Sequence, residues 1–224
     1  MSGISAMTFD LDNTLIDRNK AADVMFFIIV KECYSNIATD EMLQSFRKYD
    51  NNGYSNKVTV LNSLFNDYPP DYRMPDSDIY AFWDSRFSEC FSVDTKMHAL
   101  LEKISHCTKT AIITNGRTEM QKAKIEKTRL NKIFDVIIIS DEVGIKKPYP
   151  QIFNLALQRL NVKPNESIYV GDSLKNDVGG CQSVGMKGVW FNPKKHRNDT
   201  GIEPYMEICN FAELLPLVGL NSCE

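Results

Sequence analysis

The sequence predicts an α/β fold: a doubly wound, mainly parallel sheet with a small helical bundle inserted after the first strand. Three observations carry this. From about Val93 onward, short apolar strands alternate with amphipathic helical stretches, the pattern of an α/β core. More than ninety residues separate the first strand, 5–9, from the next convincing core strand, 110–113. A simple strand-helix-strand unit needs only about thirty. The first, second and fourth strands each run into polar residues, as does the loop after the third. In doubly wound sheets ligands bind at that C-terminal end of the strands.

The first strand, with β-branched and apolar content, delivers Asp10 to its end, and Asn13-Thr14 breaks the run. The insert reads as four short helices. The first covers 19–34. Its run Phe26-Phe27-Ile28-Ile29-Val30 would also suit a buried strand, but its length and flanking Ala21-Ala22 and Lys31-Glu32 favour a helix. Thr39 or Asp40 caps the second, which holds Met42, Leu43 and Phe46 and stops before Gly53. Val58, Leu61, Leu64 and Phe65 mark the third, ended by Pro69-Pro70. The fourth covers 77–90, with Ile79, Phe82, Trp83 and Phe87 as bundle core. The domains expected are therefore a core of 1–17 and 93–224 and a helical domain of 18–92.

Core helices follow at Met97 to Ile104, at 118–130, from Ile152, and at 174–184. Val136-Ile137-Ile138-Ile139 is the third strand, and its continuous apolar run suits a strand covered on both faces. The fourth strand is 167–170 and the fifth 187–191. The segment after Pro193 either covers a sheet edge or meets a partner; the sequence leaves both open.

A net charge of −3 over 224 residues gives no reason to expect nucleic acid or an anionic membrane as a partner. No secretory signal is visible. The longest apolar run, Val24 to Val30, falls far short of the ~18 residues of a membrane span. A cytoplasmic protein is expected. The six cysteines form no C-x-x-C pair or zinc-like spacing and are expected as thiols, mostly buried, with Cys223 exposed. His98, His106 and His196 lie in no motif. No long apolar heptad pattern argues for an oligomer.

The chemistry concentrates in Phe9-Asp10-Leu11-Asp12-Asn13-Thr14-Leu15. Two carboxylates two residues apart at a strand end converge on one site. Together they can hold a hard divalent cation such as Mg²⁺. One can take a phosphoryl group and the other handle a proton. An acidic turn capping the next helix would use the same residue types. Later stretches add to the first: Thr114-Asn115-Gly116 after the second strand, Lys147 directly before Pro148, and Gly171-Asp172 followed by Asp177.

In this order, these four stretches resemble the motifs of the haloacid dehalogenase-like superfamily, in the subgroup with an α-helical cap inserted after the first strand. The resemblance implies a Rossmann-like core and a Mg²⁺-dependent phosphatase acting on a small soluble phosphomonoester. It implies Asp10 as nucleophile and Asp12 as general acid and base. Asp10 and Asp172, with the backbone carbonyl of Asp12, would be the metal ligands. Lys147 would neutralise Asp10 and a phosphate oxygen. Thr114 and the backbone around Asn115 would hydrogen-bond the phosphate, and Asp177 would orient Lys147 or a metal-bound water. Lys146 is taken as solvated; Asp17 receives no role. Ser173 either touches phosphate or begins the next helix.

Asp12 separates this chain from the dehalogenases of the superfamily, which lack the second carboxylate. Sugar-phosphate mutases share the four motifs, and a catalytically silent binding protein would share the fold. Thr14 stands where mutases commonly carry Gly-Val or Gly-Ile, which favours hydrolysis. The Thr-Asn-Gly form suggests the nucleotidase-like branch.

Overall fold

The structure, a computed structural model, describes residues 3–35 and 38–220. It divides into two compact units, Met1–Ile16 with Val93–Glu224, and Asp17–Ser92. Cys223 lies outside the described residues.

In the first unit, six parallel strands form one sheet in the order β3-β2-β1-β4-β5-β6. They are β1 (Ala6–Phe9), β2 (Lys109–Thr114), β3 (Val136–Ile139), β4 (Ser167–Gly171), β5 (Lys187–Phe191) and β6 (Met206–Ile208). β1 is wholly buried between β2 and β4, pairing Phe9 with Ile112 and with Val170. Strand order reverses there, so the chain beyond Phe9 and Gly171 opens onto the crevice where such sheets bind ligands.

Alternate residues along the strands feed two core layers. On one face Ile113, Ile138 and Tyr169 pack with Ile152, Phe153 and Ala156 of the helix Pro150–Leu160. That helix starts on a proline at its first turn and ends at Asn161 in the left-handed region (φ 51°). On the other face Phe9 meets Phe134 edge-on at 5.7 Å and stacks on Phe211 at 6.0 Å. Phe211 begins a 3₁₀ stretch, Phe211–Val218, closed by a capping box between Asn210 and Glu213.

At one edge the sheet departs from the sequence reading, and at the other it takes up the segment after Pro193. β3 is an edge strand, so Val136 and Ile137 are only half-buried despite their apolar run. The segment after Pro193 supplies β6, three residues long, parallel to β5 through Val189↔Met206 and Phe191↔Ile208. The stretch after Asp172 begins as a π-helix, Leu174–Gly179, and only then becomes a short α-turn, Gly180–Gln182.

The second unit contains four helices among the described residues: α1 (Arg18–Cys33), α2 (Asp40–Asp50), α3 (Lys57–Asp67) and α4 (Asp76–Phe87). Asp17, Thr39 and Asn56 cap the first three, each accepting from a backbone N–H of the first turn. Asn51 in the left-handed region ends α2, ahead of Gly53, because asparagine tolerates that conformation. Phe26 packs at a tilt on Phe46, which stacks on Trp83. No helix among the described residues is long and apolar enough to cross a membrane. Of the five described cysteines, all free thiols, only Cys33 and Cys181 are fully buried; Cys107 is exposed.

Inside this bundle Asp50 is 2% exposed and accepts from Nη1 and Nη2 of Arg18 and from Lys57 Nζ at 2.8 Å. Burial favours the neutral acid, but the Arg18 bonds and charge, with Lys57, outweigh it and hold the Asp50 carboxyl below its ordinary value. Asp50 is therefore charged in the folded state at a pH where the unfolded chain already takes up a proton. The stability it contributes is present above about pH 4 and lost as pH falls below that. Asp50→Asn should cost roughly 3–5 kcal/mol at pH 7 by leaving Arg18 buried and poorly paired, and should flatten the acid limb. Thermal melts from pH 7 to pH 3 measure both, and superimposable curves for variant and wild type would contradict the assignment.

Candidate active site

The loops after β1, β2 and β4 and the loop holding Lys147 bring the sequence-predicted residues together. After Asp10 the chain turns sharply. Asn13 takes a positive φ of 60°, and Leu15 and Ile16 both donate back to Leu11 O. The turn points Thr14 across to the fourth motif, where Thr14 Oγ1 accepts from the Asp172 N–H at 3.1 Å. Asp10 N donates to Val170 O at 2.9 Å. The first and fourth motifs are thus joined by one backbone bond and by the Thr14 hydroxyl.

Lys147 lies at the centre, 3% exposed. Its Nζ donates to Asp10 Oδ1, to Asp177 Oδ1 at 2.7 Å and to Tyr169 Oη at 3.0 Å. An ammonium has three donors, and all three are used. Tyr169 in turn donates to Ile113 O at 3.0 Å. Asn115 holds the lysine's backbone: its Nδ2 donates to Lys147 O at 3.0 Å, and Lys147 N donates to its Oδ1 at 2.9 Å. The Asn115 side chain is thereby committed to the lysine loop.

The Gly171-Asp172 pair has a steric reason. A Cβ at Gly171 would drive into the Asp177 carboxylate. Asp177 Oδ2 accepts from Ser173 N at 3.0 Å, and Ser173 Oγ caps the π-helix by accepting from Asn176 N. Ser173 therefore begins the helix. Trp190 Nε1 donates to Asp172 O at 2.9 Å and fixes that loop from below.

Asp10, Asp172 and Asp177 each present a carboxylate oxygen, all within 4.8 Å of one another. Three carboxylates thus face one ammonium. Burial raises the Asp10 carboxyl to about 7 in spite of Lys147, and burial with the charges of Asp10 and Asp177 raises Asp172 to about 8. Lys147 is held well above its ordinary value; burial opposes this and the two aspartates prevail. An excess of hard oxygen donors around one point suits a divalent cation such as Mg²⁺.

Asp12 stands apart from that carboxylate group. Its side chain is held by two residues the sequence reading did not single out. Lys124 Nζ lies 2.8 and 2.9 Å from its two oxygens, and Gln121 Nε2 donates to Oδ2 at 2.9 Å. Asp177, expected to orient Lys147 or a metal-bound water, accepts from Lys147 Nζ and also joins the three-carboxylate group. Thr114 Oγ1 accepts from Gln121 at 2.6 Å. Tyr169 was also missed, because an aromatic in a strand reads as core. For Lys124 the available signal was a Gln-x-x-Lys spacing, which puts both side chains on one helix face.

Three comparisons bear on what this arrangement is. A family model described as haloacid dehalogenase-like hydrolase matches residues 7–191. The glyceraldehyde 3-phosphate phosphatase of Pyrococcus furiosus is 34% identical over 203 residues, covering 88% of this chain and 84% of that one. The N-acylneuraminate-9-phosphatase of Rattus norvegicus is 27% identical over 208 residues, covering 86% and 84%. Among solved structures, the HAD phosphatase of Thermococcus onnurineus superposes with a TM-score of 0.68 at 28% identity, over 98% of this chain and all of that one. The putative HAD-hydrolase YfnB of Bacillus subtilis gives 0.82 at 21% identity, over 97% of this chain and 100% of that one, a likeness of fold. The match across nearly all of the sheet, with the four motifs gathered at its C-terminal edge, places the chain in the haloacid dehalogenase-like hydrolase family.

Proposed function

We propose that the protein is a phosphatase that hydrolyses a small-metabolite phosphomonoester through a covalent phosphate on Asp10, with Mg²⁺ held among Asp10, Asp172 and the Asp12 backbone. The observation that carries the reading is the buried Lys147 shared by Asp10 and Asp177 beside Asp172, with the Asp12 carboxylate held separately. Relatives matched over most of the chain are named as phosphatases of a triose phosphate and of an acylneuraminate phosphate. A pyrimidine 5′-nucleotidase of Escherichia coli is 34% identical over 54% of the chain. Sugar phosphates and nucleotides are therefore the substrate classes to test.

In this reading an Asp10 oxygen attacks phosphorus in line as the bond to the leaving oxygen breaks. A proton from Asp12 passes to that oxygen, and the alcohol departs. Water then attacks the phosphorus and gives a proton to Asp12. The bond to Asp10 breaks, returning its carboxylate and releasing orthophosphate. Lys147 offsets the repulsion between the nucleophile and the phosphate oxygens. Thr114 Oγ and the N–H groups near Asn115 bind those oxygens. When bound, Mg²⁺ supplies charge neutralisation and a fixed template for the phosphate. Catalysis belongs to 1–17 and 93–224, and substrate selection to 18–92.

Phosphate release from a panel of sugar and nucleoside monophosphates tests this. Release in Mg²⁺ should fall at least ~100-fold in chelator, because several kcal/mol of charge stabilisation are withdrawn. Release indifferent to chelator would remove the metal, and no release from any member would remove the phosphatase.

A further inference from the structure

The helix α5 (Thr118–Lys127) is polar along its length, yet Gln121 and Lys124 are 2% and 4% exposed. A lysine is almost never buried without a partner, and here the partner is Asp12. Lys124 Nζ contacts both Asp12 oxygens, at 2.8 and 2.9 Å, and Gln121 Nε2 donates to Oδ2 at 2.9 Å. The same amide lies 2.6 Å from Thr114 Oγ1 and 3.3 Å from Asn115 O. Gln121 and Lys124 are three residues apart, on one helix face. One turn of α5 therefore grips the second carboxylate of the first motif and the hydroxyl of the second. Gly116 leaves room for this: with φ at +142°, a Cβ there would come within 3.0–3.1 Å of the Gln121 side chain.

We infer that Lys124 and Gln121 are positioning residues for proton transfer, fixing the orientation from which the Asp12 carboxylate serves the leaving group and the incoming water. The inference rests on the role of Asp12 in the phosphatase reading. It adds that α5 sets the aim of Asp12. An ion pair that merely supported the fold would give the same distances but a different kinetic signature. A phosphate ester with an alkoxide leaving group needs a proton as its bond breaks. 4-Nitrophenyl phosphate, whose leaving group departs readily as an anion, needs little help.

The test compares kcat/KM for an alkyl phosphate and for 4-nitrophenyl phosphate in wild type, Asp12→Asn, Lys124→Met and Gln121→Met. This parameter reports the steps through release of the leaving group. Lys124→Met should lose about 100-fold on the alkyl phosphate, within the range of general acid–base contributions, and less than about 10-fold on 4-nitrophenyl phosphate. KM for the alkyl phosphate should stay within about threefold. Gln121→Met keeps the ion pair and should show the same selectivity at about 10-fold; it decides the matter if Lys124→Met fails to fold. Equal losses on the two substrates, or none on either, would overturn the positioning role while leaving the phosphatase reading intact. Should wild type release phosphate from neither ester, or Asp10→Asn keep full release, the phosphatase reading fails and the inference falls with it.

Discussion

Asp10→Asn should abolish phosphate release, by at least ~1,000-fold in kcat, and leave the fold at least as stable as wild type. The first half follows from chemistry: an amide of the same shape cannot carry the phosphate as an acyl phosphate, and loss of a nucleophile removes nearly all of a covalent mechanism. The second half follows from electrostatics. Burial raises the Asp10 carboxyl to about 7, so its charge is a cost to the folded state at neutral pH and above. Asparagine removes that charge and eases the crowding with Asp172 and Asp177. The melting temperature at pH 8 in chelator should equal or exceed that of wild type, a case of an active site held at the expense of stability. Retained release would sink the nucleophile, and a large drop in melting temperature would mean Asp10 is chiefly a structural partner of Lys147.

Lys147→Met should damage stability as well as activity. It removes the ammonium that Asp10, Asp177 and Tyr169 share. Buried carboxylates left without their cation cost roughly 3–5 kcal/mol, or about 10 °C in a chain of this size. The loss depends on pH in a defined direction. In wild type the Asp10 and Asp172 carboxyls stand at about 7 and about 8, against about 4 in an unfolded chain. The folded protein therefore holds protons that the unfolded chain has released, and the stability from these groups falls as pH rises from about 4 to about 8. Without the lysine both carboxyls rise further. The deficit of the variant should be small near pH 5, where protons replace the missing cation, and largest near pH 8. Melts of wild type and variant in chelator at the two pH values decide it, and a deficit that is flat or shrinks with rising pH would contradict the account.

Asp10, Thr114, Asn115, Lys147 and Asp172 could be read from the sequence because each follows or ends a strand or stands beside a proline or glycine that fixes its place. Lys147 was separable from Lys146 only through Pro148, and the structure buries the first and exposes the second. Lys124 was not legible. On a helix rich in Glu, Lys and Gln, one more lysine carries no apolar signal, and only the packing of that helix shows which lysine faces inward. β6 was illegible for a related reason. Met206-Glu207-Ile208 is too short to show a period, and it is a strand because β5 offers it an edge through Tyr205 N to Gly188 O and Asn192 N to Ile208 O. The π-helix after Asp172 was read as ordinary helix. Its i→i+5 bond from Val178 N to Ser173 O leaves no mark in the residue pattern. The bundle helices were legible through their caps, and the run from Phe26 to Val30 resolved as helix through the length of its flanks.

The central position of β1 has a consequence for how the chain is made. Its four residues are made well before both neighbours: β2 begins at Lys109 and β4 at Ser167. At ~5–20 residues per second, β1 waits about 5–20 s for its first partner and longer for its second. The residues of Asp17–Ser92, by contrast, pack among themselves, and can fold while β1 is still unpaired. The central strand is thus made long before the strands that pair with it. A nascent chain arrested before about residue 110 should protect the helical unit from protease while leaving Ala6–Phe9 open to a chaperone.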